Sequence, residues 1–220
     1  MPRCFPIQIL RRLFLAAALV ALSGCAGAYY SAMEKAGIHK RDILVDRVEA
    51  ARDAQTDAQT RFQSALDQFS AVVDIGASDL KTAYERLNTE FQSAEAAAQQ
   101  VADRIDKVEA VAGALFDEWE QELDLYRSEN LRRASRAKFE DTRRRYADML
   151  AAMRRAEQRM APVLDSFRDN VLFLKHNLNA QAIGALKGEV STLKREIDDL
   201  IRQMNEAIAS SEQFIARMRA

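Results

Sequence analysis

Apolar side chains recur at spacings of three and four residues through nearly all of the chain after residue 40. This heptad spacing keeps them on one face of an α-helix, and the alternation typical of a strand is not sustained anywhere beyond Cys25. Four stretches carry the pattern, at about 40–73, 79–127, 131–176 and 183–218. The pattern therefore predicts four long helices and no sheet.

The second stretch has the most regular apolar face. Its members are Leu80, Tyr84, Leu87, Phe91, Ala94, Ala98, Val101, Ile105, Val108, Ala112, Leu115, Trp119 and Tyr126. Only Glu122 interrupts them, with Leu123 beside it, and a helix of this extent is roughly 70 Å long. The polar interruptions elsewhere are Gln55 in the first stretch and Ser211 in the fourth. Pro162 lies inside the third stretch and is expected to kink or break that helix because it lacks a backbone donor.

Turn-forming residues separate the four stretches. Gly76 can end the first helix, and Ser78 or Asp79 can cap the second. Residues 128–130 and 177–179 mark the other two breaks. Because these connections are short, neighbouring helices are predicted to be antiparallel.

The charges support an antiparallel pairing of the second and third helices. Residues 79–124 hold 12 acidic and 4 basic side chains, whereas residues 131–160 hold 4 acidic and 10 basic ones. Flanking charges of opposite sign set the pairing of heptad helices. Folding the chain back near Ser128 brings Asp117, Glu118, Glu120 and Asp124 towards Arg132, Arg133, Arg136 and Lys138, and Asp103 and Asp106 towards Arg154 and Arg155.

These patterns predict an all-α fold. It is an elongated antiparallel helical bundle, or intramolecular coiled coil, of about four long helices in a single domain over residues 40–220. Two arrangements stay open at this point, since heptads fit both. The four helices either close on one another within one chain or pair with a second chain.

The start of the chain has a different pattern, which predicts a signal peptide over residues 1–24. Arg3, Arg11 and Arg12 form a basic region, and residues 13–22 are an unbroken apolar run. The run is too short to span a bilayer core, which needs about 20 residues. It suits the apolar core of a cleavable export signal.

The tetrapeptide Leu22–Cys25 resembles the lipobox of bacterial lipoproteins. The resemblance implies cleavage before Cys25 and acylation of its thiol and of the new amino terminus, and two or more acyl chains make membrane anchoring stable. Ala26 replaces the aspartate that usually retains such proteins at the inner membrane. We therefore expect a periplasm-facing chain in the inner leaflet of the outer membrane. Residues 25–39 form a short membrane-proximal segment, in which three residues either rest on the membrane or pack on the bundle: Tyr29, Tyr30 and Met33.

Composition argues against several kinds of chemistry. No thiol is left for a disulfide, because Cys4 leaves with the signal peptide and Cys25 carries the lipid. The two histidines, His39 and His176, lack a second ligand at metal-site spacing, and no phosphate loop or nucleophile motif is present. We expect no cofactor, no metal and no enzyme activity.

A nucleic-acid partner is not expected either. The formal net charge of the whole chain is -1, so there is no overall excess of positive charge. The basic run from Arg132 to Arg159 is interpreted as the partner of the acidic second helix.

Four segments of the chain carry a family resemblance. They are residues 29–48, residues 114–120, the Arg-Arg-Arg-Tyr of residues 143–146, and the Val-Leu-Phe-Leu-Lys-His-Asn-Leu-Asn of residues 171–179. They resemble a family of proteobacterial lipoproteins catalogued only as a domain of unknown function, over essentially all of residues 25–220. The resemblance implies one domain and agrees with lipid attachment, and it supplies no activity and no site residues.

Two functions of different classes follow from these observations. The first is a non-catalytic scaffold, anchored to the membrane through Cys25, that binds envelope proteins or further copies of itself along its length. The second is a peptidoglycan- or lipid-binding accessory module of the cell envelope. It predicts a pocket between helices near Pro162–Asn179.

Overall fold

The computed structural model describes residues 30 and 33, residues 37–75 and residues 79–220. Within 37–75 and 79–220 it contains four α-helices and no strand: α1 Lys40–Ile75, α2 Leu80–Leu123, α3 Glu129–His176 and α4 Ala180–Arg219. The predicted all-α fold of about four long helices is confirmed. The longest helix, α3, has 48 residues.

The chain divides into two compact units, Met1–Ile43 and Leu44–Ala220. The second unit holds most of α1 and all of the other three helices, and it is called the bundle below. The signal peptide and Cys25 lie outside the described residues, so the predicted limits of residues 1–24 and 25–39 stay predictions.

Three of the helices begin at a side-chain cap. The caps are Asp79, Ser128 and Asn179, and each accepts a hydrogen bond from the backbone N–H three residues later, at 3.4, 3.4 and 3.0 Å. These bonds satisfy donors that a helix start leaves without an intrahelical partner. Asp79 is one of the two caps that the sequence predicts.

Helix α2 ends at Leu123, four residues before its predicted limit. The backbone N–H of Asp124 donates to Gln121 O at 3.3 Å, the tighter pattern typical of a last helical turn. The prediction that Tyr126 lies on the buried face is wrong. Tyr126 lies beyond the helix and is exposed, because Ser128 already caps the next helix and leaves no further turn of α2.

Neighbouring helices of the bundle are antiparallel, as predicted. Residue numbers rise on one helix as they fall on the next in the pairs Asp106–Arg154 and Glu95–Arg168 between α2 and α3, and Arg159–Asp199 and Tyr146–Phe214 between α3 and α4. Helix α1 in turn packs on α4, where Gln59 Nε2 donates to Asn205 Oδ1 at 2.9 Å and Arg219 pairs with Glu49 at 2.9 Å. The helices therefore pack on one another within one chain.

The predicted apolar faces form the core of the bundle. Phe62, Phe69 and Phe167 are fully buried. The ring of Phe167 on α3 lies 5.9 Å from that of Phe69 on α1 and 6.3 Å from that of Phe91 on α2, measured between centroids. Aromatic pairs at this separation add stability beyond their buried area, so this level joins three of the four helices.

Several buried polar residues interrupt the core, and the sequence indicates two of them, Gln55 and Ser211. Ser211 is fully buried and donates to Ala207 O at 2.7 Å. Gln55 is also fully buried, but neither its Nε2 nor its Oε1 has a hydrogen-bond partner. A buried amide without partners is costly, so Gln55 is a weak point of an otherwise well-packed core.

Pro162 lies inside α3 and does not break it. The ring removes one backbone donor. Apolar residues on both sides of it, Met160, Val163 and Leu164, are nevertheless buried against the other helices. Their packing holds the helix together where isolated propensity would end it.

Candidate functional site

Exposed apolar side chains concentrate at two turns of the bundle. Of the seven large apolar residues that are exposed in the described part of the chain, six lie at these turns and the seventh, Ile38, precedes α1. The first group, called the α2–α3 patch, consists of Leu125 (77% exposed), Tyr126 (40%) and Leu131 (60%). The second, called the α3–α4 patch, consists of Leu172 (45%), Phe173 (41%) and Leu178 (43%). Since exposed apolar patches mark interaction sites, these two are the candidates.

Packed aromatic rings join α2 and α3 next to the α2–α3 patch. Phe139 of α3 meets Phe116 and Trp119 of α2 edge to face, with centroids 5.9 and 5.7 Å apart. The indole Nε1 of Trp119 also donates to Ser135 Oγ at 3.0 Å. These contacts join the last turns of α2 to the first turns of α3 next to the patch.

Charged side chains of both signs flank the α2–α3 patch, with arginines at the start of α3 and carboxylates at the end of α2. Arg132 pairs with Glu129 at 2.5 Å and Arg133 donates to Asn130 Oδ1 at 2.6 Å, both within α3. Partners three residues apart on one helix are within reach of each other. Further along, the predicted approach of Asp106 to Arg154 is confirmed, at 2.5 Å.

The α3–α4 patch is built by the end of α3 and the connection that follows. Leu172 and Phe173 lie in the last turns of α3, and Leu178 lies in the connection. Asn177 Nδ2 donates to Phe173 O at 2.9 Å and holds the end of the helix. The exposed His176 is the last residue of α3, where a cation is favourable.

A groove between α3 and α4 adjoins the α3–α4 patch. Its volume is about 390 Å³, and its lining combines acidic, amide, hydroxyl and apolar side chains: Ser166, Asp169, Asn170, Phe173, Glu189, Thr192, Leu193 and Glu196. Asn170 is buried and donates from Nδ2 to Ser166 O at 2.8 Å. Glu196 Oε2 is buried without a hydrogen-bond partner. This groove lies where the accessory-module hypothesis predicts a pocket.

The sides of the bundle carry ion pairs rather than apolar surface. Arg154 contacts Asp106 and Glu109 of α2 and, at 3.1 Å, Glu157 of its own helix. Burial lowers the pKa of the Arg154 guanidinium, but its hydrogen bonds to the three carboxylates outweigh burial and raise that pKa above its ordinary value. Burial, with a smaller contribution from Glu109, raises the pKa of Tyr146 to about 12. Both groups therefore keep one charge state at physiological pH, as expected of a structural network.

The remaining site predictions divide by whether they fall on described residues. Cys25 and Tyr29 lie outside them. Tyr30 is buried, which disfavours the alternative in which its ring rests on the membrane. His39 and His176 are both exposed. Across the described residues no group of three or more His, Cys, Asp or Glu side chains is arranged to hold a metal ion, and no helix is long and apolar enough to cross a membrane.

Sequence reasoning missed the two patches. Leu125, Leu131 and Phe173 do not lie on heptad positions. Leu125 and Leu131 flank the Ser128 cap, and Phe173 lies four residues before Asn177, the C-cap of α3. The available signal was apolar residues crowded around turn-forming ones. That signal is weak, because single exposed apolar residues are common on protein surfaces.

The fold and these sites define a class: an all-α four-helix protein whose core is filled from one chain and whose exposed apolar side chains lie at the ends of its helices. The chain belongs to the family described as protein of unknown function DUF2959, whose sequence model matches residues 29–218. No curated protein and no solved structure matches the chain.

Proposed function

We propose that this chain is a membrane-anchored helical scaffold of the bacterial cell envelope. Acyl groups on Cys25 hold it in the inner leaflet of the outer membrane, with the bundle facing the periplasm. It binds envelope proteins or further copies of itself, and it neither catalyses a reaction nor binds nucleic acid.

The location of exposed apolar surface carries this proposal. The heptad faces are consumed inside the bundle, where Val48, Leu87, Met153 and Leu200 are fully buried. Partners along the sides would meet mostly charged residues, and such surface ion pairs contribute little. The α3–α4 patch, by contrast, exposes three large apolar side chains together. We therefore place partner binding at this patch, a narrower location than the whole length of the helices.

Photo-crosslinking in intact cells tests the scaffold. A photoreactive amino acid replaces Leu178 in the α3–α4 patch, and matched variants carry it at Gln100 and Arg195, which are exposed on the sides of α2 and α4. We expect adducts with a defined envelope protein or a second copy at 178 and few at 100 and 195. A Cys25→Ser variant should lose these adducts because it cannot be acylated and is not delivered to the outer membrane. Only unmodified monomer at all three positions contradicts the scaffold.

The groove beside Phe173 favours a second function, the peptidoglycan- or lipid-binding accessory module. An aromatic ring beside carboxylates and a buried amide offers stacking and hydrogen bonds, which suits a sugar more than a hydrocarbon chain. Co-sedimentation with isolated sacculi tests it, with Phe173→Ser and Glu196→Gln as the variants. Retention of the wild-type chain and loss in both variants supports the module, and lipid recovered with the purified chain supports its lipid-binding form. If the chain binds no sacculi and no lipid is recovered with it, the accessory-module function is overturned.

A further inference from the structure

The end of the bundle at which the chain enters is the end that carries the α2–α3 patch. Arg219, the last residue of α4, pairs with Glu49 near the start of the bundle at 2.9 Å. Helix α4 is antiparallel to α3, since Phe214 lies beside Tyr146 and Asp199 beside Arg159. The C-terminal end of α4 and the entry of the chain therefore both lie towards the start of α3, where the turn is.

The hairpin of α2 and α3 also continues past the end of α4. Phe214 is level with Tyr146, so the last residue of α4 is level with about residue 141. The dozen or so residues of α3 that precede this level extend roughly 18 Å further at the helical rise. The α2–α3 patch is therefore the part of α3 farthest beyond the end of α4 on the side where the chain enters.

This position matters if Cys25 is acylated, and the inference rests on that part of the proposed function. Eighteen residues separate Cys25 from Leu44, the first residue of the bundle. A fully extended chain spans at most about 3.6 Å per residue, so the lipid is tethered within roughly 70 Å of the entry point. Because the chain from Cys25 joins the bundle at the entry end, that end is the one nearest to the lipid along the chain.

The chemistry of the α2–α3 patch fits a lipid surface. Leu125 and Leu131 are the two most exposed large apolar side chains of the described residues, and such side chains enter the boundary between headgroups and acyl chains. Tyr126 has the apolar ring and polar hydroxyl that favour a membrane interface. The charged side chains around this turn are of both signs, since residues 117–136 hold six acidic and four basic ones. The contact is therefore attributed to the apolar side chains rather than to charge.

We propose that the α2–α3 patch is a second membrane contact, which lays Leu125, Tyr126 and Leu131 on the phospholipid surface that holds the Cys25 acyl groups. The acyl chains supply attachment and the patch supplies orientation. Two contacts at one end hold the bundle with its α3–α4 patch directed away from that membrane.

Depth measurement with a spin label tests the proposal on the mature lipoprotein in phosphatidylcholine vesicles. Leu131→Cys carries a nitroxide at the α2–α3 patch, and the matched Leu178→Cys carries one at the α3–α4 patch. We expect a collision ratio, oxygen over a water-soluble nickel chelate, that is several-fold higher at 131 than at 178. The ratio at 131 should fall when Leu125→Ser and Tyr126→Ser are added. Equal ratios at the two positions overturn the proposal, as does a high ratio at 131 that these two substitutions leave unchanged.

The same preparations separate this failure from failure of the proposed anchor. The chain has two cysteines, Cys4 in the signal peptide and Cys25. A processed and acylated wild-type chain therefore takes up no thiol label and floats with vesicles. Uptake of label by the wild type contradicts the anchor itself. If the wild type takes up no label but the two collision ratios are equal, the anchor stands and only the second contact is contradicted. An adduct between residue 131 and a protein in intact cells also contradicts only the second contact.

Discussion

Each end of the bundle exposes three large apolar side chains, but to different extents and in different surroundings. At one end, on the side where the chain enters, Leu125 and Leu131 are the two most exposed large apolar side chains of the described residues. At the other end Phe173 borders a groove lined by Asp169, Glu189 and Glu196. The greater apolar exposure at the first end fits a lipid surface, whereas the polar groove at the second end fits a protein or a polar ligand. The ends of this bundle, rather than its sides, are therefore where its function is to be sought.

The largest expected change in the free energy of unfolding comes from truncating a buried aromatic ring near each end of the bundle. Phe167→Ala should lower the free energy of unfolding by about 3–5 kcal/mol, because its buried ring joins α1, α2 and α3. Phe139→Ala should cost about 3 kcal/mol or less, because its ring partners Phe116 and Trp119 both lie on α2. Urea unfolding followed by circular dichroism measures both. A larger loss of unfolding free energy for Phe139→Ala than for Phe167→Ala would contradict this prediction.

Between the ends, Gln55 should respond in the opposite direction. Gln55→Leu should raise the free energy of unfolding by about 1–3 kcal/mol, because it removes a buried amide that has no hydrogen-bond partner. Ser211→Ala is the matched control. It removes a satisfied bond to Ala207 O and should lower stability by about 1 kcal/mol. Destabilisation by Gln55→Leu would show that the amide has a partner in solution.

Alkaline pH should loosen the middle of the bundle through Tyr146. Its pKa is raised to about 12 in the folded chain, whereas an unfolded tyrosine ionises near pH 10. Stability is therefore complete below pH 10 and is lost as pH rises from 10 towards 12, because the unfolded chain releases the proton first. Allowing for solvent screening of a partly exposed ring, the loss is roughly 1–2 kcal/mol. Tyr146→Phe should flatten this slope in urea titrations at stepped pH, and an unchanged slope contradicts the assignment.

The smallest effect on stability is expected at the two patches themselves. Leu125→Ser with Leu131→Ser, and separately Leu172→Ser with Phe173→Ser, should each change the free energy of unfolding by about 0.5 kcal/mol or less, since all four side chains are exposed. Their binding should differ. The first pair should reduce the depth of the α2–α3 patch in vesicles, and the second should reduce protein adducts at the α3–α4 patch. A large loss of stability in either pair would show that the patch is part of the core.

Much of the fold could be predicted from the sequence because heptad spacing and caps act locally. The helix limits near Asp79, Ser128 and Asn179 follow from side chains that accept hydrogen bonds three residues away. The effect of Pro162 was harder to predict, because the burial of its neighbours stabilises the helix by more than the lost backbone donor destabilises it. Tyr126 was assigned to the core because it lies seven residues after Trp119 on the same heptad count, despite the interruption at Glu122. The helix, however, has already ended at Leu123.

The candidate sites were less predictable for a physical reason. The α2–α3 patch depends on which turn lies at the entry end of the bundle, and the groove depends on the spacing of α3 against α4. Both are tertiary properties of residues far apart in the chain, such as Asn170 and Glu196. Local pattern indicated only the region of Pro162–Asn179, and nothing in it distinguished an apolar patch from a core position.

Photo-crosslinking at both ends in the same intact cells tests whether the two ends of the bundle meet different partners. A photoreactive amino acid at Leu131 and, separately, at Leu178 reports what each end meets. We expect phospholipid adducts at 131 and protein adducts at 178, with both lost in Cys25→Ser. The same class of adduct at both positions, or adducts that persist in Cys25→Ser, would contradict a bundle held at one membrane by one end.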